Sequence, residues 1–211
     1  MISFQTCFEQ LPLIAILRGI ESHEVLETVG SLVNAGFRLI EIPLSSPEAL
    51  NSIQIAATAF GDVAMIGAGT VLTVDDVQRV IGVEGQLIVA PNCDAKVGVA
   101  TLRAGAIWAP GVATPTEAFA ALACGAHVLK IFPTEMVLPE GIKAMRAVLP
   151  AGAAVIPVGS ITPGSMQVYV EAGANGFGLG SALYCQGDTA AQVSLKAKQF
   201  VTAFHDLCMT C

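Results

Sequence analysis

Short, almost continuously apolar runs alternate with segments of helical spacing along the whole chain, eight times over. The runs are 13–17, 39–44, 64–67, 87–91, 106–110, 128–132, 154–158 and 176–179. Strands apolar on both faces belong to a parallel sheet, because each crossover lays a helix over the sheet. Most intervening segments open on a residue whose side chain can take up a free amide. Ser22 and Ser46 do so, the second with Pro47 set for a first helical turn, and Thr73, Thr114 and Thr162 follow the same logic. Ala35-Gly36, Ala104-Gly105, Cys124-Gly125 and Ala172-Gly173 read as helix ends, where glycine tolerates a left-handed turn. Eight such units without a long edge segment predict an α/β fold, a (β/α)8 TIM barrel filling residues 1–211 as a single domain. An extra N-terminal helix over 3–10 and a C-terminal helix over about 189–207 complete the expected shell.

Composition narrows the function. With 54% hydrophobic and 13% charged residues, the chain has ample apolar surface to offset the entropy of ordering, which excludes disorder. No run reaches the ~20 residues that span a bilayer, and the first ten residues lack the basic flank of a secretion signal. The net charge of −7, from 10 Lys+Arg against 17 Asp+Glu, argues against nucleic acid or an anionic membrane as partner. The six cysteines (Cys7, Cys93, Cys124, Cys185, Cys208, Cys211) are read as free thiols of a reducing cytoplasm, and the tail pair Cys208 and Cys211 is not read as a metal site. An anionic substrate of so acidic a protein needs local partners: backbone amides, helix N-termini and one or two placed cations.

In a barrel the reacting groups sit at the C-terminal ends of the strands. Here those positions carry Arg18, Glu41, Thr70, Pro91-Asn92, Gly111, Lys130, Gly159-Ser160 and Gly180-Ser181. Lys96, Lys143, Lys196 and Lys198 fall in helix-like stretches, whereas Lys130 lies in the apolar strand His127-Val-Leu-Lys-Ile-Phe-Pro133. A buried ammonium is costly, and desolvation drives its pKa down. Lys130 is therefore either paired with a carboxylate that holds the barrel together or an amine kept partly neutral to attack a carbonyl. Glu41, in Leu39-Ile-Glu-Ile-Pro-Leu44, alternates onto the same face as Leu39 and Pro43, taken as the interior. It is either an ion-pair partner or a general base with a raised pKa, and one inward Lys with one inward Glu favours the catalytic reading. Gly159-Ser160 and Gly178-Leu-Gly180-Ser181 end the last two strands, where barrels repeatedly bind phosphate, although strand ends also need glycine for tight turns. Arg18 with Thr70 is a candidate carboxylate clamp; the alternative for Arg18 is a salt bridge to Glu41.

Taken in order, Ile-Leu-Arg18-Gly, Gly-Phe-Arg-Leu-Ile-Glu41-Ile-Pro-Leu, Ile-Gly-Ala-Gly-Thr70-Val-Leu, Pro-Gly-Val-Ala-Thr-Pro-Thr-Glu-Ala, Lys130-Ile-Phe-Pro, Val158-Gly and Gly-Leu-Gly180-Ser181 resemble the 2-keto-3-deoxy-6-phosphosugar-acid aldolases over nearly the whole chain. Ser45 and Val158 stand where the gluconate branch carries Arg and Thr, so the chain resembles the galactonate branch. The resemblance implies a class I, Schiff-base aldolase of galactonate breakdown in the cytoplasm. Lys130 would be the nucleophile and Glu41 the acid–base. Arg18 and Thr70 would hold the substrate carboxylate, and Gly159, Ser160, Leu179 (through its backbone), Gly180 and Ser181 the phosphate. Pro91 and Phe132 would wall the pocket, and Val158 would sense the C4 hydroxyl. The partner implied is a phosphorylated keto sugar acid, with no cofactor and no metal, and relatives form homotrimers. The three histidines (His23, His127, His205) are unclustered, in keeping with this. The rival substrates are the gluconate epimer and unphosphorylated 4-hydroxy-2-oxoglutarate; the rival class is a barrel that binds a phosphometabolite without cleaving it. Ser160 departs from relatives that repeat glycine, and either adds a hydroxyl donor or crowds the loop.

Overall fold

Parallel pairing organises the chain into a curled sheet wrapped by helices. The computed structural model describes residues 2–209, with side chains to Leu207, so the thiols of Cys208 and Cys211 lie outside the described residues. In chain order the elements are α1 (Phe4–Gln10), β1 (Leu13–Ile16), α2 (Val25–Ala35), β2 (Leu39–Pro43), α3 (Ala49–Phe60), β3 (Met65–Gly69), α4 (Val74–Gly82), β4 (Leu87–Val89), α5 (Ala95–Arg103), β5 (Ile107–Ala109), β6 (Gly111–Val112), α6 (Pro115–Ala123), β7 (Leu129–Ile131), α7 (Pro139–Arg146), β8 (Val155–Pro157), α8 (Met166–Glu171), β9 (Phe177–Leu179) and α9 (Ala190–Met209). A 3-10 turn over Pro163–Ser165 leads into α8.

The strands form two sheets, one of six in the order β5-β4-β3-β2-β1-β9 and one of three in the order β6-β7-β8. Every pairing is parallel. The expected strand 106–110 is split at Pro110, whose missing N–H interrupts the ladder: Ile107–Ala109 pairs with β4, while Gly111–Val112 pairs with β7. The third strand runs two residues further than expected, to Gly69. At the other seam the sheets touch through one isolated parallel bridge, Val158 to Gly178.

Alternation along the strands sorts side chains to two faces, an inner one and an outer one against the helices. Ile14, Ile16, Leu39, Met65, Leu87, Val89, Ala109, Val128, Ile156 and Val158 meet inside the curled sheet. Cys7 of α1 joins them, with Phe4 and Phe8 packed alongside, so α1 plugs this interior at the N-terminal end of the strands. The intervening residues, such as Ile40, Ile66, Trp108 and Leu179, face the helices.

Thr73 and Thr114 form reciprocal capping boxes with Asp76 and Glu117, as their spacing predicts. Ser22 and Ser46 do not cap. α2 and α3 begin at Val25 and Ala49, and the two hydroxyls serve long-range partners instead. Ser22 Oγ lies 3.2 Å from Glu48 Oε2 and 3.1 Å from Ser52 Oγ, and Ser46 Oγ accepts the Gly19 N–H at 2.9 Å. The glycines expected to end helices do so, with φ of +109° at Gly36, +72° at Gly105, +89° at Gly125 and +100° at Gly173.

Gly67 points inward between Met65 and Gly69, and a Cβ there would overlap the Leu87 backbone and Cβ on the neighbouring strand. Gly67→Ala is therefore expected to destabilise the protein by about 3 kcal/mol through overpacking, read as a lower midpoint in urea unfolding.

Candidate active site

Lys130 enters the interior from β7 of the three-stranded sheet and Glu41 from β2 of the six-stranded one. Lys130 sits in register with Gly111 on one side and Ile156 on the other, and Glu41 with Ile16 and Gly67. Lys130 is 6% exposed and Glu41 1%. Burial pushes the Glu41 carboxyl above the ordinary carboxylate range, against the pull of the positive Lys130 and Arg18. Burial likewise pushes the Lys130 amine down, opposed by Glu41 and reinforced by Arg18. Each group is thus moved towards its neutral form. Among the described residues no carboxylate oxygen lies within 4.0 Å of Lys130 Nζ. The amine stands 5.0 Å from the centre of the Phe132 ring.

The Glu41 carboxylate fits because Gly69 has no side chain: a Cβ at Gly69 would occupy the position of Oε2. That oxygen is buried and has no hydrogen-bond partner. Arg18 corrects one sequence expectation. It is exposed and forms no salt bridge with Glu41; its Nη1 donates to Ser45 Oγ at 3.2 Å. It still belongs to the charged cluster, since its field acts on both Glu41 and Lys130. Thr70, half-buried at the end of β3, adopts φ +57°, a strained conformation for a β-branched residue.

The other expected residues line the same C-terminal strand ends. Val158 is 6% exposed and packs into the interior against Gly178. Pro91 presses its carbonyl against Gly111, where a Cβ would collide with it. Leu179 turns its side chain to the helices and stands in register with Ala15 of β1. Gly159 and Ser160 take φ of +129° and +45°, and Gly180 and Ser181 begin the turn after β9. Among the described residues the N–H groups of Ser160 and Ser181 meet no protein acceptor. The Ser160 hydroxyl is not free for a ligand, because it donates to Glu135 Oε1.

Sequence reasoning missed Gly69, Thr134 and Glu135. The Gly67-Ala-Gly69 alternation on one face of a strand carried a readable signal, namely room for two neighbours' side chains. Thr134 and Glu135 left none beyond being polar residues straight after a strand. A separate cleft of about 590 Å³ at the C-terminal ends of α3, α4 and α5 is lined by residues such as Asp62, Glu84 and Gly105, and contains none of these groups.

A parallel α/β fold thus carries a desolvated lysine and a desolvated glutamate facing one interior, and the comparison with known proteins gives the class to which it belongs. The family model for KDPG and KHG aldolases matches residues 4–194, and this chain belongs to that family. It is accordingly an aldolase, a carbon–carbon lyase, and the reading of a barrel that binds without cleaving falls away. More particularly, it is 46% identical to the 2-dehydro-3-deoxy-6-phosphogalactonate aldolase of Escherichia coli (strain K12), over 93% of this chain and 96% of that one. It is 44% identical to a probable enzyme of the same name from Rhizobium meliloti (strain 1021), over 92% and 91% of the two chains. The solved native KDPGal structure matches with a TM-score of 0.93 at 45% identity, covering 95% of this chain and 97% of that one.

Lys130 binds a proton less readily in the folded than in the unfolded chain, so it opposes folding most fully below its depressed pKa, and that cost is relieved as pH rises from there to the ordinary lysine range. Replacing both buried groups by apolar ones of similar length, as Lys130→Met with Glu41→Met, should stabilise the protein by about 1–4 kcal/mol at neutral pH. The gain should shrink as pH climbs through that window, measured by denaturant unfolding at several pH values.

Proposed function

We propose that this protein cleaves 2-dehydro-3-deoxy-6-phospho-D-galactonate to pyruvate and D-glyceraldehyde 3-phosphate, with Lys130 as Schiff-base nucleophile and Glu41 as acid–base. The observation that carries this reading is a buried amine without an ion-pair partner facing the same interior as a buried carboxylate oxygen without a hydrogen bond. An unsatisfied buried acceptor costs about 1–3 kcal/mol. Such an atom is intelligible if its donor, a water or a hydroxyl, arrives with the substrate.

The neutral Lys130 amine adds to the C2 ketone. Glu41, held protonated by its dry surroundings, delivers a proton to the departing hydroxyl of the carbinolamine, and the iminium forms. The Glu41 carboxylate then takes the C4 hydroxyl proton, and the C3–C4 bond breaks. Its electron pair moves into the iminium to give an enamine, while C4 leaves as the aldehyde of glyceraldehyde 3-phosphate. Protonation at C3 and addition of water release pyruvate and restore the amine. Arg18 and Thr70 bind the C1 carboxylate, and Pro91 and Phe132 wall the pocket and keep the amine desolvated. The loops at Gly159-Ser160 and Leu179-Gly180-Ser181 take the phosphate through backbone amides at the head of the following turns.

The galactonate epimer is favoured over the gluconate one by Ser45, which engages Arg18, and by Val158, which offers the C4 hydroxyl no hydrogen bond. The unmet amides of the two loops favour a phosphorylated substrate over 4-hydroxy-2-oxoglutarate. We read the two sheets as one closed eight-stranded barrel, with β5 and β6 as a single strand broken at Pro110 and the Val158–Gly178 bridge as its second seam. We take the chain as one domain working in the cytoplasm as a homotrimer. Support comes from its free cysteines, Cys7, Cys93, Cys124 and Cys185, and from exposed apolar side chains such as Met136, 75% exposed.

Incubation with pyruvate and borohydride should add a stable mass to Lys130, and Lys130→Ala should abolish both this labelling and cleavage while the protein stays folded. Retained turnover in that variant would remove Lys130 from its role. Glu41→Gln should slow turnover ~10²–10⁴-fold. Side-by-side assay of the two C4 epimers should show the higher kcat/KM for the galactonate form.

A further inference from the structure

The loop after β8, whose root Val158 is bridged to Gly178 of β9, is tied on its other side by two consecutive residues of the segment that follows β7. The Thr134 N–H donates to Val158 O at 3.3 Å, and the Thr134 hydroxyl donates to Gly159 O. One residue further along each segment, the Ser160 hydroxyl donates to Glu135 Oε1. The other carboxylate oxygen lies over Gly159, 2.8 Å from where a Cβ would stand, and Thr134 Oγ1 is equally close to that point. Thr134 is 2% exposed, so its hydroxyl has little access to water and its bond is an internal one.

These contacts decide where the loop's amides point. In a planar trans peptide the C=O and the following N–H lie on opposite sides. Pinning Gly159 O towards Thr134 therefore aims the Ser160 N–H away from the β7 segment, and among the described residues that N–H meets no protein acceptor. Gly159 and Ser160 both hold positive φ, open to the glycine but costly for the serine, so contacts from outside the loop help to fix the turn. The Ser160 hydroxyl, meanwhile, is drawn off towards Glu135.

We propose that Thr134 and Glu135 are positioning residues for the phosphate subsite: Thr134 orients the 159–160 peptide, and Glu135, by holding the Ser160 hydroxyl, keeps the Ser160 amide presented to the anion. This inference rests on the aldolase reading above, which assigns the loop to the substrate's phosphate. It leaves Ser160 as a donor through its backbone, with its side chain serving as a latch. Glu135 carries a negative charge beside an anion site, so its value lies in its geometry and its charge works against the ligand.

The test compares Thr134→Val, Glu135→Ala and Glu135→Gln in the full chain. Thr134→Val and Glu135→Ala are each expected to raise KM for the phosphorylated substrate about tenfold, the worth of one charge-assisted or buried hydrogen bond, with the loss falling on KM more than on kcat. Inorganic phosphate, read by its stabilisation of Tm, should bind correspondingly more weakly to both variants. Glu135→Gln keeps an oxygen acceptor for Ser160 and removes the repelling charge, so its affinity for inorganic phosphate should equal or exceed the parent's. Unchanged KM and phosphate affinity in Thr134→Val and Glu135→Ala would overturn the proposal, as would a Glu135→Gln variant as weak as Glu135→Ala. Pyruvate trapping by borohydride, which involves no phosphate, separates the two levels. Parent protein that fails to trap pyruvate refutes the Schiff-base reading, whereas the inorganic phosphate measurements still decide the role of Thr134 and Glu135.

Discussion

Desolvation of two opposite charges is the constraint on which the rest of this structure depends. Lys130 and Glu41 are buried in the middle of a sheet whose other inward residues are apolar, and neither is neutralised by a contact ion pair. Burial pushes the amine down and the carboxyl up, each towards its neutral form. Here the surrounding Ile, Leu, Val and Met side chains withhold the hydration that would restore them. The proposed chemistry needs this state, since an ammonium is no nucleophile and an ionised carboxylate has no proton to give a leaving hydroxyl. The energetic burden falls on folding, and the broad apolar core between sheet and helices is what makes it bearable.

Absence of side chains does as much as their presence. Gly67 lets Leu87 approach β3, and Gly69 gives the Glu41 carboxylate its resting place. A larger residue at either position moves the strand or the carboxylate. The α1 plug and the inner apolar layer then keep the N-terminal end dry, leaving the C-terminal strand ends as the side with polar loops. In the proposed reading, burial from below and polar anchoring from above place a charged substrate's ends in loops while its ketone enters the dry zone.

Much of this was legible in the sequence because it depends on local periodicity. Apolar runs of strand length, glycines after helices and Thr-x-x-acid caps at Thr73 and Thr114 are short-range signals, and they match the elements found. The inward direction of Glu41 and Lys130 follows from alternation by two. What failed depends on partners far away in the chain. Ser22 and Ser46 carry a cap signature, yet their hydroxyls reach residues 48, 52 and 19, so the helices start later. Arg18 had two plausible partners by charge, and its contact is a neutral serine on the next loop. Pro110 reads as the end of a strand, whereas the chain resumes pairing beyond it with a different neighbour.

The Thr134–Glu135 pair shows why an active site is only partly written in its motifs. Residues that touch substrate are recognisable because few chemistries suit the task, and a lysine in an apolar strand stands out. Residues that aim a backbone amide are chosen for reach and angle. The donor aimed at the ligand carries no side-chain signature at all, because any residue supplies an N–H. Its direction is set by whatever holds the carbonyl of the same peptide, and on the proposal above that is a buried threonine 25 residues earlier in the chain. An anion loop in an acidic protein is thus built less from cations than from carbonyls tied back out of the way. On that proposal, selectivity for the phosphate end of a substrate lies in a segment whose own sequence advertises no affinity for phosphate.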